Sequence, residues 1–194
     1  MESIQIPDAD KLYSCNVIVI PEDITQKTIT PIVKEALALH MVKDKSPVSV
    51  IINSCGGNVS AGWQLVDILL GMKRVVTTYI LGDALSMGAM IALAGDVRIA
   101  TPRSCIMLHQ YSWGYYDKYH ELKSIRGAED HMHKVFMKYI EERASREAAE
   151  LYANKSDQWL TPMQARKVGI IHKIVNRVNI PRSIGKALTE TNGK

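Results

Sequence analysis

A serine at a strand-to-helix turn, a histidine ending an apolar run and an acid heading a later segment are the residue types that nucleophilic acyl transfer needs. The serine is Ser86, within Gly82-Asp83-Ala84-Leu85-Ser86-Met87-Gly88. A β-favouring run, 75–80, precedes it, and small, apolar, helix-favouring residues follow as far as Gly95. The pattern predicts a strand, a tight turn opened by Gly82 and Asp83, and a buried helix. A hydroxyl at such a turn lies over free backbone N–H groups that favour a developing negative charge. Serine is also a common helix cap, so this stretch alone leaves both roles open.

His109 ends the run Cys105-Ile106-Met107-Leu108-His109-Gln110, and Asp157 lies in Ser156-Asp157-Gln158-Trp159-Leu160-Thr161, ahead of an expected helix start. Taken alone, Asp157 reads more readily as a loop or cap acid than as an orienting acid. In Asn53-Ser54-Cys55-Gly56-Gly57-Asn58, paired glycines stand where a strand gives way to a helix. Glycines there let the backbone turn its N–H groups toward a substrate carbonyl.

The elements that must position these residues follow from periodicity. Strands are expected at 16–20, 48–52, 75–81, 97–100, 105–109 and 170–175, and helices from 22 to 41, from 61 to 72 and after Pro162. Gly169 is expected to close the last helix. Strands alternating with helices imply crossover units and a mainly parallel sheet, with ligands at the carboxyl ends of strands. Gly57, Ser86 and His109 are each expected just beyond such an end. Residues 119–155 read as one long helix whose apolar positions, among them Leu122, Ile125, Met132, Val135, Phe136, Tyr139 and Ile140, form a sticky face. That face packs either on its own domain or on a partner.

At 194 residues with 46% hydrophobic and 23% charged residues, the chain has the size and composition of one globular domain. The formal charge of +4 is spread along the chain, which gives no basis for a nucleic-acid partner. Cys15, Cys55 and Cys105 have no short spacing, so neither a disulfide framework nor a cysteine zinc site is expected, and reduced thiols fit a cytoplasmic location. The first twenty residues lack a basic start and apolar core, and no run is long enough to span a membrane. His131 and His133 stand two apart on a helix, on different faces, and are not expected to share a metal. His40, His120 and His172 show no partner pattern.

The Gly-Gly turn, the Ser-Met-Gly elbow, the His-Gln strand end and the Asp-x-Trp-Leu-Thr segment occur in an order that resembles the proteolytic subunit of the Clp protease (ClpP), over about residues 17–175. That family is a self-compartmentalised serine peptidase. The resemblance implies an α/β, ClpP/crotonase-like fold: a mainly parallel sheet of repeated ββα/βα units with a protruding long handle helix. It divides the chain into an arm, 1–14, a peptidase domain, 15–178, with its handle at about 111–155, and a basic tail, 179–194. It makes Ser86 the nucleophile, His109 the general base, Asp157 the orienting acid, and the N–H groups of Gly57 and Met87 the oxyanion hole. Neither metal nor cofactor is implied.

The partners implied are further copies of the chain in two stacked heptameric rings, a tetradecamer, with unfolded proteins or peptides as substrates and a separate AAA+ unfoldase supplying energy. No phosphate-binding glycine loop with Lys-Ser/Thr is found in the chain itself. Cys55 stands where the family usually has proline, and Ser49 and Ile51 stand where many members carry aromatics that dock the ATPase. Two other readings share the fold: a catalytically idle subunit of a mixed ring, and a crotonase-like enzyme whose glycine-turn N–H groups polarise an acyl-CoA thioester.

Overall fold

The computed structural model describes residues 16–112 and 119–180, without the side chains of 119–125. The expected arm, 1–14, Cys15, the aromatic stretch 113–116 and nearly all of the tail lie outside the described residues. So do the side chains of His120, Leu122 and Ile125.

The β-branched run in the middle of the first half forms the centre of the sheet. Strand β1 (Val17–Ile20) pairs in parallel with β2 (Val48–Ser54), and β2 with β3 (Val76–Leu85). Between them, α1 (Gln26–Met41) starts at Thr25, whose hydroxyl accepts the Thr28 N–H, and α2 (Val59–Leu70) starts at Asn58, whose side chain accepts the Ala61 N–H. Val48, Val50 and Ile52 are fully buried, as the sequence expects of a strand covered on both faces.

Strand β3 departs from expectation. Instead of ending at Leu81 it runs on to Leu85, changing neighbours as it goes. Thr77 to Ile80 pair with β4 (Val97–Ala100), and Asp83 to Leu85 pair with β5 (Cys105–Leu108). Gly82, at φ 121, is the joint: a Cβ there would stand 2.3 Å from Asn53 Oδ1, the same oxygen that accepts the Asp83 N–H at 3.0 Å. Gly82 and Asp83 thus bend the strand without ending it, because β5 takes up the hydrogen-bond ladder.

Helix α3 (Met87–Leu93) follows at once, with every residue buried. Its buried C-terminal carbonyls need donors. Arg143 Nε donates to Leu93 O at 2.9 Å, and both Arg143 and Arg98 donate to Gly95 O. Burial, with Arg143 beside it, pushes the Arg98 guanidinium down to about 10, so it stays charged at neutral pH. Two further Arg98 bonds, to Ile170 O and Gly169 O, tie this corner to the end of the domain.

The expected single helix over 119–155 is two: α4 (Tyr119–Arg143) and α5 (Arg146–Tyr152). The break is a cap. Ser145 is extended at φ −166, and its hydroxyl both accepts the Ala148 N–H and donates to Val168 O. The second half of α4 packs on its own domain. Phe136 and Tyr139 each stand 5.0 Å, centroid to centroid, from Trp63, and the Tyr139 hydroxyl donates to Met90 O at 3.0 Å. Phe136, Tyr139 and Ile140 are therefore core residues of this domain.

Strand β6 (Gln158–Leu160), absent from the sequence reading, stands between Asp157 and α6 (Pro162–Lys167), so the acid precedes a strand and not a helix. Thr161 caps α6 in a reciprocal box with Gln164, with proline at the first turn as expected. Gly169, at φ 80, ends that helix. The expected last strand, 170–175, shrinks to β7 (Lys173–Ile174), because the N–H groups of Ile170 and Ile171 turn back to Ala165 O. The result is a mainly parallel α/β sheet, β1-β2-β3-β4-β7, with β5 and antiparallel β6 branching from the second half of β3.

Candidate active site

The extension of β3 delivers Ser86 to the branch point of the sheet. Its backbone has φ 53 and ψ −120, a positive φ that costs a non-glycine residue roughly 1–3 kcal/mol and persists only where its surroundings enforce it. Two contacts do so. The Ser86 N–H donates to Met107 O on β5 at 2.9 Å. Beneath the turn lies Gly56, at φ 91, where a Cβ would stand 2.6 Å from Leu85 O, 2.8 Å from Ser86 Cβ and 2.9 Å from the Met87 nitrogen. The Ser86 side chain makes no cap bond to α3, so of the two roles left open by the sequence, the helix cap is not the one adopted.

His109 lies just past β5, the strand that holds the Ser86 N–H. Its Nε2 is 2.7 Å from Ser86 Oγ, within the range of a strong hydrogen bond. The pairing of β5 with β6 brings Leu108 opposite Gln158, and the same register continued one step sets His109 beside Asp157. His109 Nδ1 and Asp157 Oδ1 are 3.8 Å apart, an ion-pair distance that is too long for a hydrogen bond. The Asp157 side chain is 55% exposed.

The glycine turn is shaped by the residue before α1. Ile24 N–H donates to Gly56 O, and Asn58 N–H donates to Ile24 O, both at 2.7 Å. Gly57, at φ 136, lies between these bonds, where a Cβ would come within 2.3 Å of Ile24 O. The pairing leaves the Gly57 N–H without an acceptor among the described residues. Met87 N–H, in the first turn of α3, likewise has no acceptor among the described residues, since a helix start has no intrahelical acceptors. Free donors on Gly57 and Met87 thus flank the Ser86 turn.

A narrow cavity of about 10 Å³ opens beside Ser86 and His109, walled by Val59, Met87, Met90, Tyr111, Phe136 and Tyr152. A more open groove passes Ile24, Thr25, Cys55 and Gly57. Cys55 is an exposed free thiol, and burial, with Asp83 beside it, raises the pKa of the Cys105 thiol. His172, read from the sequence as partnerless, accepts the Arg98 N–H on Nδ1 at 3.1 Å. His133 stacks on Tyr152 with ring centroids 5.7 Å apart, while His131 is exposed. Among the described residues, no cluster of three or more His, Cys, Asp or Glu could hold a metal, and no helix is long and apolar enough to cross a membrane.

The structure thus brings Ser86 and His109 into contact and Asp157 to their edge. Sequence reasoning missed Ile24, Asn53 and Met107, which act through backbone pairing and carry no chemical signature of their own. It also missed Tyr152 as a wall of the cavity, because that residue sat in what read as one continuous helix.

Comparison with known proteins agrees with this architecture. A model of the Clp protease family matches residues 2–178. Among solved structures, a point mutant of ClpP1 from Listeria monocytogenes is similar, with a TM-score of 0.76 at 25% identity, over 86% of this chain and 95% of that one.

Proposed function

The chain belongs to the Clp protease family, and we propose that it cleaves peptide bonds by acyl transfer through Ser86, with His109 as general base. Ser86 Oγ gives its proton to His109 Nε2 as it attacks the substrate carbonyl. The carbonyl oxygen, now negative, is held by the N–H groups of Gly57 and Met87. His109 then protonates the leaving amine, and a water, deprotonated by the same nitrogen, releases the acyl group. Asp157 steadies the imidazolium from the Nδ1 side. Losing one oxyanion donor typically costs about a hundred- to a thousandfold in rate, so the glycine turn ranks with the nucleophile.

The observation that carries the proposal is the 2.7 Å Ser86–His109 contact at a residue held at φ 53. An idle subunit has no need to maintain that strain, and polarising a thioester needs neither side chain. The test is turnover of a fluorogenic peptide by the wild type and by Ser86→Ala. Loss of at least a thousandfold with the assembly retained supports the mechanism, whereas near-normal turnover removes Ser86 from it.

Helix α4 lies in the chain between His109 and Asp157, so contacts that order it on assembly also bear on the site, and assembly and activity are coupled. We assign ring stacking to α4, through the part preceding Met132, because Phe136, Tyr139 and Ile140 are used inside the domain. The assembly proposed is a tetradecamer of two heptamers, with the sites facing a chamber that admits unfolded chains delivered by a cytoplasmic AAA+ unfoldase. Ser49, at a family docking position, is only 3% exposed and offers such a partner no contact.

A further inference from the structure

The cavity beside Ser86 has walls of Val59, Met87, Met90 and Phe136, which suit an apolar side chain. Tyr152 does not fit that description. It is 1% exposed and clamped between rings, stacked on Phe136 at 5.3 Å and on His133 at 5.7 Å. Among the described residues its buried hydroxyl has no hydrogen-bond acceptor, and the Tyr111 backbone lowers the phenol pKa as an N–H donor would. Any help from that side reaches the oxygen and leaves the O–H proton without an acceptor. Burial raises the Tyr152 pKa well above its ordinary value, so the proton is present at any working pH.

A buried polar atom left unpaired costs about 1–3 kcal/mol, and such groups in native proteins call for an explanation. Tyr139 shows the alternative in the same cluster, where the hydroxyl is spent on Met90 O. Phenylalanine at 152 would stack equally well and avoid the penalty. The hydroxyl is therefore read as serving something that enters the cavity.

Resting on the peptidase reading above, we infer that Tyr152 is a specificity residue: its hydroxyl donates to a hydrogen-bond acceptor at the tip of the substrate side chain preceding the scissile bond. A cavity of about 10 Å³ holds a group near the size of one water, which matches the acceptor at the tip, and a short side chain such as asparagine brings a carbonyl oxygen to it. Met87 and Met90 supply the adaptable walls that admit its branch.

The experiment uses the full-length assembled protein and two fluorogenic peptides that differ only in asparagine or the near-isosteric leucine before the cleaved bond. The wild type is expected to favour asparagine in kcat/KM by about tenfold, the scale of one neutral hydrogen bond. Tyr152→Phe is expected to bring the ratio to one or below and to leave the melting temperature equal or higher, because it removes an unpaired group. An unchanged ratio, or a lower melting temperature in Tyr152→Phe, overturns the assignment while turnover itself still stands. No turnover of either peptide, with no fluorophosphonate adduct on Ser86, overturns the peptidase reading and this inference with it.

Discussion

Gly56 lies so close beneath Ser86 that a Cβ on the glycine would stand 2.8 Å from the serine Cβ. The contact ties the turn after β2 to the turn after β3. The first carries the Gly57 donor, and the second carries Ser86, the proposed nucleophile, and the Met87 donor, so a shift of either turn changes how the three face one another.

Gly56→Ala is expected to cost more in rate than in folding. The new methyl meets Leu85 O at 2.6 Å, and backbone cannot give way as a side-chain tip does. A displacement of about 1 Å at the reacting atoms costs roughly a hundredfold. Peptide turnover should fall at least that far, while circular dichroism still reports a folded chain.

Asp157→Asn is expected to be milder than the loss, of about ten-thousandfold, that follows removal of a buried orienting acid. The carboxylate here is more than half exposed and 3.8 Å from His109, so water screens it and it makes no hydrogen bond to the ring. We expect kcat to fall about ten- to a hundredfold. A loss of ten-thousandfold would mean that Asp157 closes on His109 in the working enzyme.

His172 links pH to stability at the far end of α3. Its pKa is lowered by burial first, then by Arg98, Arg143 and Lys173, and its Nδ1 must stay unprotonated to accept the Arg98 N–H. A lowered folded pKa means that the unfolded chain binds the proton more readily. The stability is therefore whole above the unfolded value, near 6.5, and is lost as pH falls below it. The melting temperature should drop between pH 7 and 5, and His172→Asn, which keeps an acceptor but cannot titrate, should flatten that drop.

The two halves of α4 should respond differently to substitution. Phe136→Ala removes a ring packed on Trp63, Tyr111 and Tyr152, a loss of about 3–5 kcal/mol that should lower the melting temperature by roughly 10 °C. Ile125→Glu should separate the rings in analytical ultracentrifugation and leave each subunit folded. A monomeric wild type with full activity would contradict the proposed coupling of assembly and catalysis.

Much of this architecture is legible in the sequence because strong periodicity marks it: the buried run of β2, the small apolar residues of α3 and the Thr161-Pro162 cap. His109 is legible because it ends an apolar run, and Ser86 because it stands between a β-favouring run and a stretch of small, apolar, helix-favouring residues. Gly82 and Asp83 mislead, because local turn chemistry says nothing about β5 waiting to take over the ladder. Strand β6 is too short to show a period of its own and exists through pairing with β5. The fate of Phe136 and Tyr139 is likewise settled by where Trp63 lies, which no helical pattern reveals.

The central claim is that Ser86 is the nucleophile, and covalent labelling tests it most directly. The wild-type protein, treated with a fluorophosphonate, digested and mapped by mass spectrometry, should carry one adduct on Ser86 Oγ. Ser86→Ala should carry none, and His109→Ala should label at least a hundredfold more slowly, general-base catalysis being worth about that much. An adduct on any other residue, or an unlabelled Ser86 in protein that still cleaves peptides, would contradict the account.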